Sequence, residues 1–220
     1  MPVALDVTDR GAAAAAVAMA HDRFGQLDVV VNNAGYGHFG FVEELSEEEA
    51  RSQLETNLFG ALWVTQAAIP LLRKQGAGHI VQVSSMGGMI ALPRLGIYHA
   101  SKWALEGLSE ALASELGPAG IKVTIVEPGP YATDWGGSSA VHSSPNPVYQ
   151  EIRDMMSQGR AGFTSPPASD TTEAILALVD AQEPPLRLLL GNVAYDVVSS
   201  VCRTRLDTWA AWEQTSRSAG

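Results

Sequence analysis

Two rhythms of apolar and polar positions alternate along this chain. Three short, nearly unbroken apolar runs, "LDVVVNNAG" (27–35), "GHIVQVSS" (78–85) and "IKVTIVEPG" (121–129), read as strands buried on both faces, and "LRLLLG" (186–191) as a further apolar strand. Helical patterns lie between and around them. The opening "MPVALDVTDRG" reads as a strand end in "PVAL", followed by a helix that Thr8 or Asp9 caps and that runs through the alanines to Gly25. Residues 46–75 read as one helix. Ser46 and Glu49 stand at capping-box spacing, Leu54, Leu58, Leu62, Ile69 and Leu72 fall roughly on one side, and Pro70 bends the last turn. Further helices are expected at 97–116, 168–181 and 193–212. Strand and helix in alternation predict an α/β chain with a mostly parallel sheet, helices on both faces and right-handed crossovers. Ligand chemistry then collects at the carboxyl ends of the strands. From Pro130 to about Pro167 the rhythm lapses into Gly, Ser, Pro and Asn around a short helix at 147–158, a stretch long enough to form a lid.

Composition narrows the function classes. With 220 residues, 46% of them hydrophobic, the chain can bury one substantial core, so residues 1–220 are expected to form a single domain. A formal charge of -10 and the lack of a Lys/Arg cluster argue against a nucleic-acid partner. No apolar stretch approaches the roughly 20 residues needed to cross a bilayer, and the start lacks a basic-then-apolar plan; the expected location is cytoplasmic, with no membrane partner. Cys202, the only cysteine, cannot close an internal disulfide and reads as a packed small side chain. Neither Gly-x-Ser-x-Gly nor His-Glu-x-x-His occurs, which argues against a hydrolase elbow and a zincin-type metal site.

The chemistry concentrates in "SSMGGMIALPRLGIYHASK" (84–102). Tyr98 and Lys102 are four apart, so on a helix their side chains lie one above the other, and the ammonium is expected to lower the phenol's pKa. A serine hydroxyl at the end of the preceding strand points into the crevice this helix faces. Asn57, in "ETNLFG", is a polar residue in an otherwise apolar helix. Each feature alone is weak: an exposed i,i+4 pair, a strand-ending turn, a local hydrogen-bonding device. His99 reads as a bystander and Trp103 as helix packing.

Taken together and in order, these residues resemble the landmarks of the short-chain dehydrogenase/reductase family: Asn-Asn-Ala-Gly at Asn32 to Gly35, a helix Asn at Asn57, a strand-end Ser at Ser85, Tyr-x-x-x-Lys at Tyr98 and Lys102, and Pro128-Gly129. Ser85 is preferred over Ser84 because the family's serine usually stands thirteen positions before the tyrosine. The resemblance implies a three-layer Rossmann-like doubly wound sheet and hydride transfer between NADP or NAD and a small-molecule carbonyl or secondary alcohol. Tyr98 would exchange the oxygen's proton and Ser85 would hold that oxygen. Lys102 would lower the Tyr98 pKa and bond the nicotinamide ribose, and Asn57 would keep a water in a proton relay. Cofactor contacts implied by the family are Asp6 and Val7 at the adenine edge, Asn33, Ala34 and Gly35 at the adenosine ribose, Pro128 and Gly129 beside the nicotinamide, and Thr133 near the carboxamide or a phosphate. Ala100, Ala104, Gly107 and Ala111 form a small-residue stripe on the helix that commonly builds the family's dimer interface, so a homodimer or homotetramer is expected.

One part of the family pattern is missing. The family begins with a strand, a Gly-rich turn of the Thr-Gly-x-x-x-Gly-x-Gly type, a helix, a second strand and a second helix, and none of these first β-α-β-α elements occurs here. "PVALDVTD" then matches the end of the third strand, and the expectation is that about 60 residues, two βα units, are absent. The expected strand order 3-2-1-4-5-6-7 would leave "DVVVNNAG" as a bare apolar edge. Two explanations remain: a start placed at a downstream methionine of a longer gene, which this reading favours, or a naturally short chain. The alternative function is a non-catalytic Rossmann-like remnant that acts through protein association.

Overall fold

A computed structural model describes residues 1–159 and 164–220. The anticipated strands form one parallel sheet. They are β1 (Val29–Asn32), β3 (Gly78–Val83), β4 (Ile121–Pro128) and β6 (Arg187–Leu190), in the order β1-β3-β4-β6, as expected for the later part of a doubly wound sheet. Register is fixed partly by a buried polar knot. Asn32 pairs opposite Gln82, its amide donating to Gln82 Oε1 at 3.0 Å and to Thr65 Oγ1 at 2.9 Å, and Gln82 donates to the same hydroxyl at 3.1 Å.

Helices α1 (Arg10–Phe24), α3 (Ala61–Gln75) and α4 (Gly96–Leu116) cover one face around Val17, Ala68, Leu72, Ile80, Leu112, Ile121 and Val123. Helix α6 (Thr172–Asp180) covers the other, where Leu178 meets Val81, Val126 and Leu190. Ile80 and Val81 thus supply opposite faces of one strand, the alternation a sheet buried on both sides requires. Helix α7 (Asn192–Ala211) buries Ala194 and Val198, and the short α8 (Glu213–Arg217) follows. No described helix is long and apolar enough to cross a membrane.

Capping follows the sequence closely at α1. Asp9 accepts from the Ala12 N–H at 2.9 Å, and Gly25, left-handed at φ 83°, ends the helix. One expectation fails nearby. "PVAL" forms no strand, because among the described residues β1 pairs only with β3 and no neighbour offers residues 2–5 a ladder. Correspondingly, β1 is an edge strand with Val31 52% exposed, the bare apolar edge that the strand order implies.

The expected helix 46–75 is three pieces: α2 (Glu47–Leu54), a π-helical stretch (Glu55–Gly60) and α3. The reciprocal bonds between Ser46 and Glu49 form at its start, and α3 continues through Pro70 to Gln75. The wider π turn rotates the helix, so the fully buried stripe is Gln53, Asn57, Gly60, Ala61, Thr65, Ala68 and Leu72, while Leu54, Leu58 and Leu62 are only half-buried. After β4, residues 130–159 contribute β5 (Val141–His142), which pairs with β2 (His38–Phe39), and then α5 (Gln150–Gly159). Residues 160–163 of the expected 130–167 lid lie outside the described residues.

Candidate active site

The π turn sets Asn57 beneath the end of β1. Its Oδ1 accepts from the Tyr36 N–H at 3.1 Å, and its Nδ2 donates to the Tyr36 carbonyl and to Ser101 Oγ, each at 3.1 Å. Gln53 donates to the same carbonyl at 3.1 Å. These bonds clamp the turn Asn33-Ala34-Gly35 against α4, and each, if left unmade in the interior, would cost about 1–3 kcal/mol. Gly35 sits where a Cβ would lie 3.0 Å from Asn57 Oδ1 and 3.7 Å from Lys102 Nζ, so only a bare Cα leaves that approach open.

Helix α4 brings Tyr98 and Lys102 to the same end of the sheet. Both are buried, at 6% and 5% exposure. Lys102 Nζ donates to the Val83 carbonyl at 2.9 Å and lies 6.0 Å from the Tyr98 ring centroid. Burial pulls the ammonium down to about 8, with Glu106 acting against that pull. The expected lowering of the Tyr98 pKa by Lys102 is not found. Burial pushes the phenol up to about 12, and the only opposing influence is Ser85. Desolvation wins because Phe39, Leu95 and Trp135 enclose the ring.

Of the two serines, Ser84 is buried with its hydroxyl unpartnered among the described residues, whereas the partly exposed Ser85 caps the next turn by accepting from the Gly87 N–H at 3.0 Å. Ser85 is the one that bears on the phenol. His99 is no bystander. Its Nε2 accepts from the Leu92 N–H at 2.9 Å, so Nδ1 carries the proton and donates to the Gly87 carbonyl at 2.8 Å, which fixes the Ser85 turn. Arg94, left-handed at φ 68°, precedes α4 and presents its carbonyl to the Gly40 N–H at 2.8 Å.

Trp135, which the sequence did not single out, is the other addition. Its indole stands edge-on to Tyr98 at 5.0 Å and to Phe39 at 5.3 Å between centroids. The signal that could have found it is one large aromatic in the Gly/Ser-rich stretch after Thr133, which caps this turn. Beyond Trp135 the chain is latched to the body. His38 Nε2 meets Ser143 Oγ at 2.8 Å, Ser143 donates to Glu49 at 3.1 Å, Tyr149 donates to Glu43 at 2.6 Å, and Arg153 pairs with Glu44.

The remaining expected cofactor residues are distributed around the same edge. Asn33, Ala34 and Gly35 are exposed at the end of β1. Gly129 lies beside a cavity of about 170 Å³ lined also by Pro130, Tyr131, Gly191 and Asn192, while Pro128 ends β4. Val7 packs on Gly60, and the exposed Asp6 accepts from the Thr8 N–H and hydroxyl at 2.9 and 2.8 Å, which hold its carboxyl below the usual range. Trp103 donates to the Ile90 carbonyl at 3.3 Å and carries the Arg205 guanidinium of α7 over its ring. Ala100, Ala104, Gly107 and Ala111 all lie on the exposed face of α4. Among the described residues no three His, Cys, Asp or Glu side chains group as a metal site.

Comparison with known proteins agrees with this arrangement. The family model for short chain dehydrogenases matches residues 1–142. Oxidoreductase BOA17 of Botryotinia fuckeliana is 39% identical over 98% of this chain and 80% of its own length; the uncharacterised oxidoreductase YusZ of Bacillus subtilis is 34% identical over 96% and 76%. Among solved structures, a short-chain dehydrogenase from Streptomyces avermitilis superposes with a TM-score of 0.89 at 38% identity, over 99% of this chain and 80% of its own. An alcohol dehydrogenase from the archaeon Thermococcus sibiricus, complexed with 5-hydroxy-NADP, superposes with a TM-score of 0.68 at 29% identity, over 84% and 72%. With the order of motifs, the parallel sheet and this match all in agreement, the chain belongs to the short-chain dehydrogenase family.

Proposed function

We propose that this oxidoreductase interconverts a small-molecule carbonyl and a secondary alcohol, with Tyr98 as the group that gives or takes the oxygen's proton. The observation that carries the reading is the convergence of Tyr98, Lys102, Ser85 and the Asn57-clamped turn at the carboxyl ends of β1 and β3. When bound, the nicotinamide of NADP or NAD supplies or accepts the hydride. The ribose and nicotinamide half of such a cofactor fits the residues present. Gly35 leaves its Cα bare beside Lys102, and Lys102 uses one of its three N–H donors on Val83. Gly129 lines the cavity at the ends of β4 and β6, directly after Pro128, and these two would stand beside the nicotinamide, with Thr133 near the carboxamide or a phosphate. Asn33 and Ala34 would meet the adenosine ribose, and Asp6 and Val7 the adenine edge.

Within that arrangement each residue has a definable task. Ser85 orients the substrate oxygen, and its own orientation depends on the turn that His99 holds. Tyr98, a neutral phenol in its buried state, is poised as the acid that protonates an oxygen on which negative charge develops. Lys102 supplies positive charge beneath it. Asn57 keeps the β1 turn on α4, and the relay water assigned to it by family resemblance belongs to the same proposal. Trp135 and Phe39 make the floor around Tyr98 apolar, which suits a carbonyl carrying an apolar or aromatic substituent. A lid at 130–167, a homodimer or homotetramer seated on the exposed small-residue face of α4, and a cytoplasmic location complete the reading.

One observation favours a second reading. The bare β1 edge, with Val29 and Val31 exposed, offers strand pairing to another protein. Titration of the purified chain with NADH and NADPH, followed by nicotinamide fluorescence with circular dichroism as the check on folding, separates the two. Saturable binding together with a 10²–10⁴-fold loss of ketone turnover in Tyr98→Phe is the expected result. A folded chain that neither binds nor turns over, or a Tyr98→Phe variant of undiminished activity, overturns the catalytic reading.

A further inference from the structure

Behind Lys102 lies a group of carboxyls for which the chemistry at Tyr98 has no use. Glu106, one turn further along α4, is 4% exposed, and Glu127, near the end of β4, is 1% exposed. One guanidinium serves both: Arg187 Nε, from the start of β6, is 3.1 Å from Glu106 Oε2 and 3.5 Å from Glu127 Oε1. Its terminal nitrogen reaches the exposed Glu110 at 2.9 Å. The Oε1 atoms of Glu106 and Glu127 are buried without a hydrogen-bond partner among the described residues, and so is Ser84 Oγ. Gly88 closes the wall, where a Cβ would lie 2.6 Å from Ser84 Oγ and 2.7 Å from Glu106 Oε1.

The charged groups facing the two buried acids are therefore Lys102 and Glu110 on α4 and Arg187 on β6. Fully ionised, the cluster would set three carboxylates against two cations, with two of the carboxylates buried side by side. That arrangement is unfavourable in a low-dielectric interior. One retained proton balances the charge and gives the unpartnered oxygens a donor.

We infer that Glu106 and Glu127 share a single proton, and that the one negative charge left on the pair is the counter-ion that keeps Lys102 protonated. Glu106 is then a positioning residue that acts through Lys102, and Glu127 is its proton-sharing partner. The catalytic consequence rests on the role proposed for Lys102; the electrostatic coupling stands without it. Burial, followed by the charge of Glu106, raises the Glu127 carboxyl, and Glu106 is the one influence that opposes the lowering of Lys102 by burial.

The sign of the coupling makes the test selective. Glu106→Gln removes the anion nearest Lys102, whereas Glu127→Gln leaves Glu106 ionised beneath Arg187. The chain contains three lysines, Lys74, Lys102 and Lys122, so ε-¹³C-lysine NMR gives three side-chain signals, and Lys102→Met identifies the one that matters. In the cofactor-free chain the Lys102 midpoint should fall by about one pH unit or more in Glu106→Gln. It should not fall in Glu127→Gln. No change in Glu106→Gln, or an equal fall in both variants, overturns the inference. Should Glu106→Gln not fold, δ-¹³C-glutamate NMR of the unmodified chain decides: one glutamate still protonated at pH 7 supports the shared proton, and full ionisation of all glutamates refutes it. Because neither measurement uses turnover, failure of the catalytic reading would leave its own distinct trace.

Discussion

Replacing Trp135 by alanine uncovers the Tyr98 phenol, and the consequence can be worked from the geometry. The indole makes two edge-to-face contacts, with Tyr98 at 5.0 Å and with Phe39 at 5.3 Å. At about 0.5–1.5 kcal/mol each, their loss should destabilise the fold by about 1–3 kcal/mol. Burial holds the phenol at about 12, against an ordinary value of 10. Two units correspond to about 2.7 kcal/mol of disfavoured phenolate. Phe39 and Leu95 stay in place in the variant, so roughly half of that penalty should be relieved, and Tyr98 should titrate about one unit lower. The chain has five tyrosines, so ζ-¹³C-tyrosine NMR from pH 8 to roughly 12.5 spans both midpoints, with Tyr98→Phe as the assignment. A Tyr98 midpoint in Trp135→Ala no lower than in the unmodified chain would refute the argument that the indole, rather than the deeper interior, desolvates this residue.

Two further outcomes follow from packing and protonation. A Cβ at Gly60 would lie 2.6 Å from Val7 Cγ2, so Gly60→Ala should cost about 1–3 kcal/mol in urea unfolding despite alanine's better helix propensity. Adding Val7→Ala should restore most of the loss, and equal stability of Gly60→Ala and the unmodified chain would show that the N-terminal segment does not press on the helix. Burial lowers the pKa of His38, His79 and His99 below the usual 6.5, so these rings stay neutral in the folded chain while the unfolded chain takes up protons first. Stability should therefore be complete above about pH 6.5 and decline as the pH falls through the depressed folded values. An unchanged urea midpoint between pH 7.5 and 5.5 would sink that expectation.

The strands and most helices were legible because their signals are local. The run "KVTIVE" can hardly be anything but a two-face-buried strand, and Thr8 or Asp9 at one end and Gly25 at the other bracket α1 by capping chemistry alone, the structure selecting Asp9. The helix from 46 to 75 misled because its leucine spacing assumes 3.6 residues per turn. One π turn changes that phase, and the buried side chains then include Gln53, Asn57 and Thr65, whose polarity gives no hydrophobic signal. "PVAL" misled in the opposite sense, since it has strand character but no strand beside it to accept its hydrogen bonds.

For the site, residue types and their spacing are local facts: Tyr98 with Lys102 one helical turn away, a serine at a strand end, and an asparagine on a helix. Tertiary structure alone decided the environment of those groups. Trp135 covers Tyr98 from 37 residues further along the chain, Arg187 reaches Glu106 across a separation of 81, and Ser143 meets His38 across 105. The sign of the Tyr98 shift belongs to this second class. A neighbouring ammonium can be read from an i,i+4 spacing, but desolvation depends on every element that excludes water from the ring. Here the enclosing residues come from β2, the start of α4 and the segment after β4, three places that only the folded chain brings together.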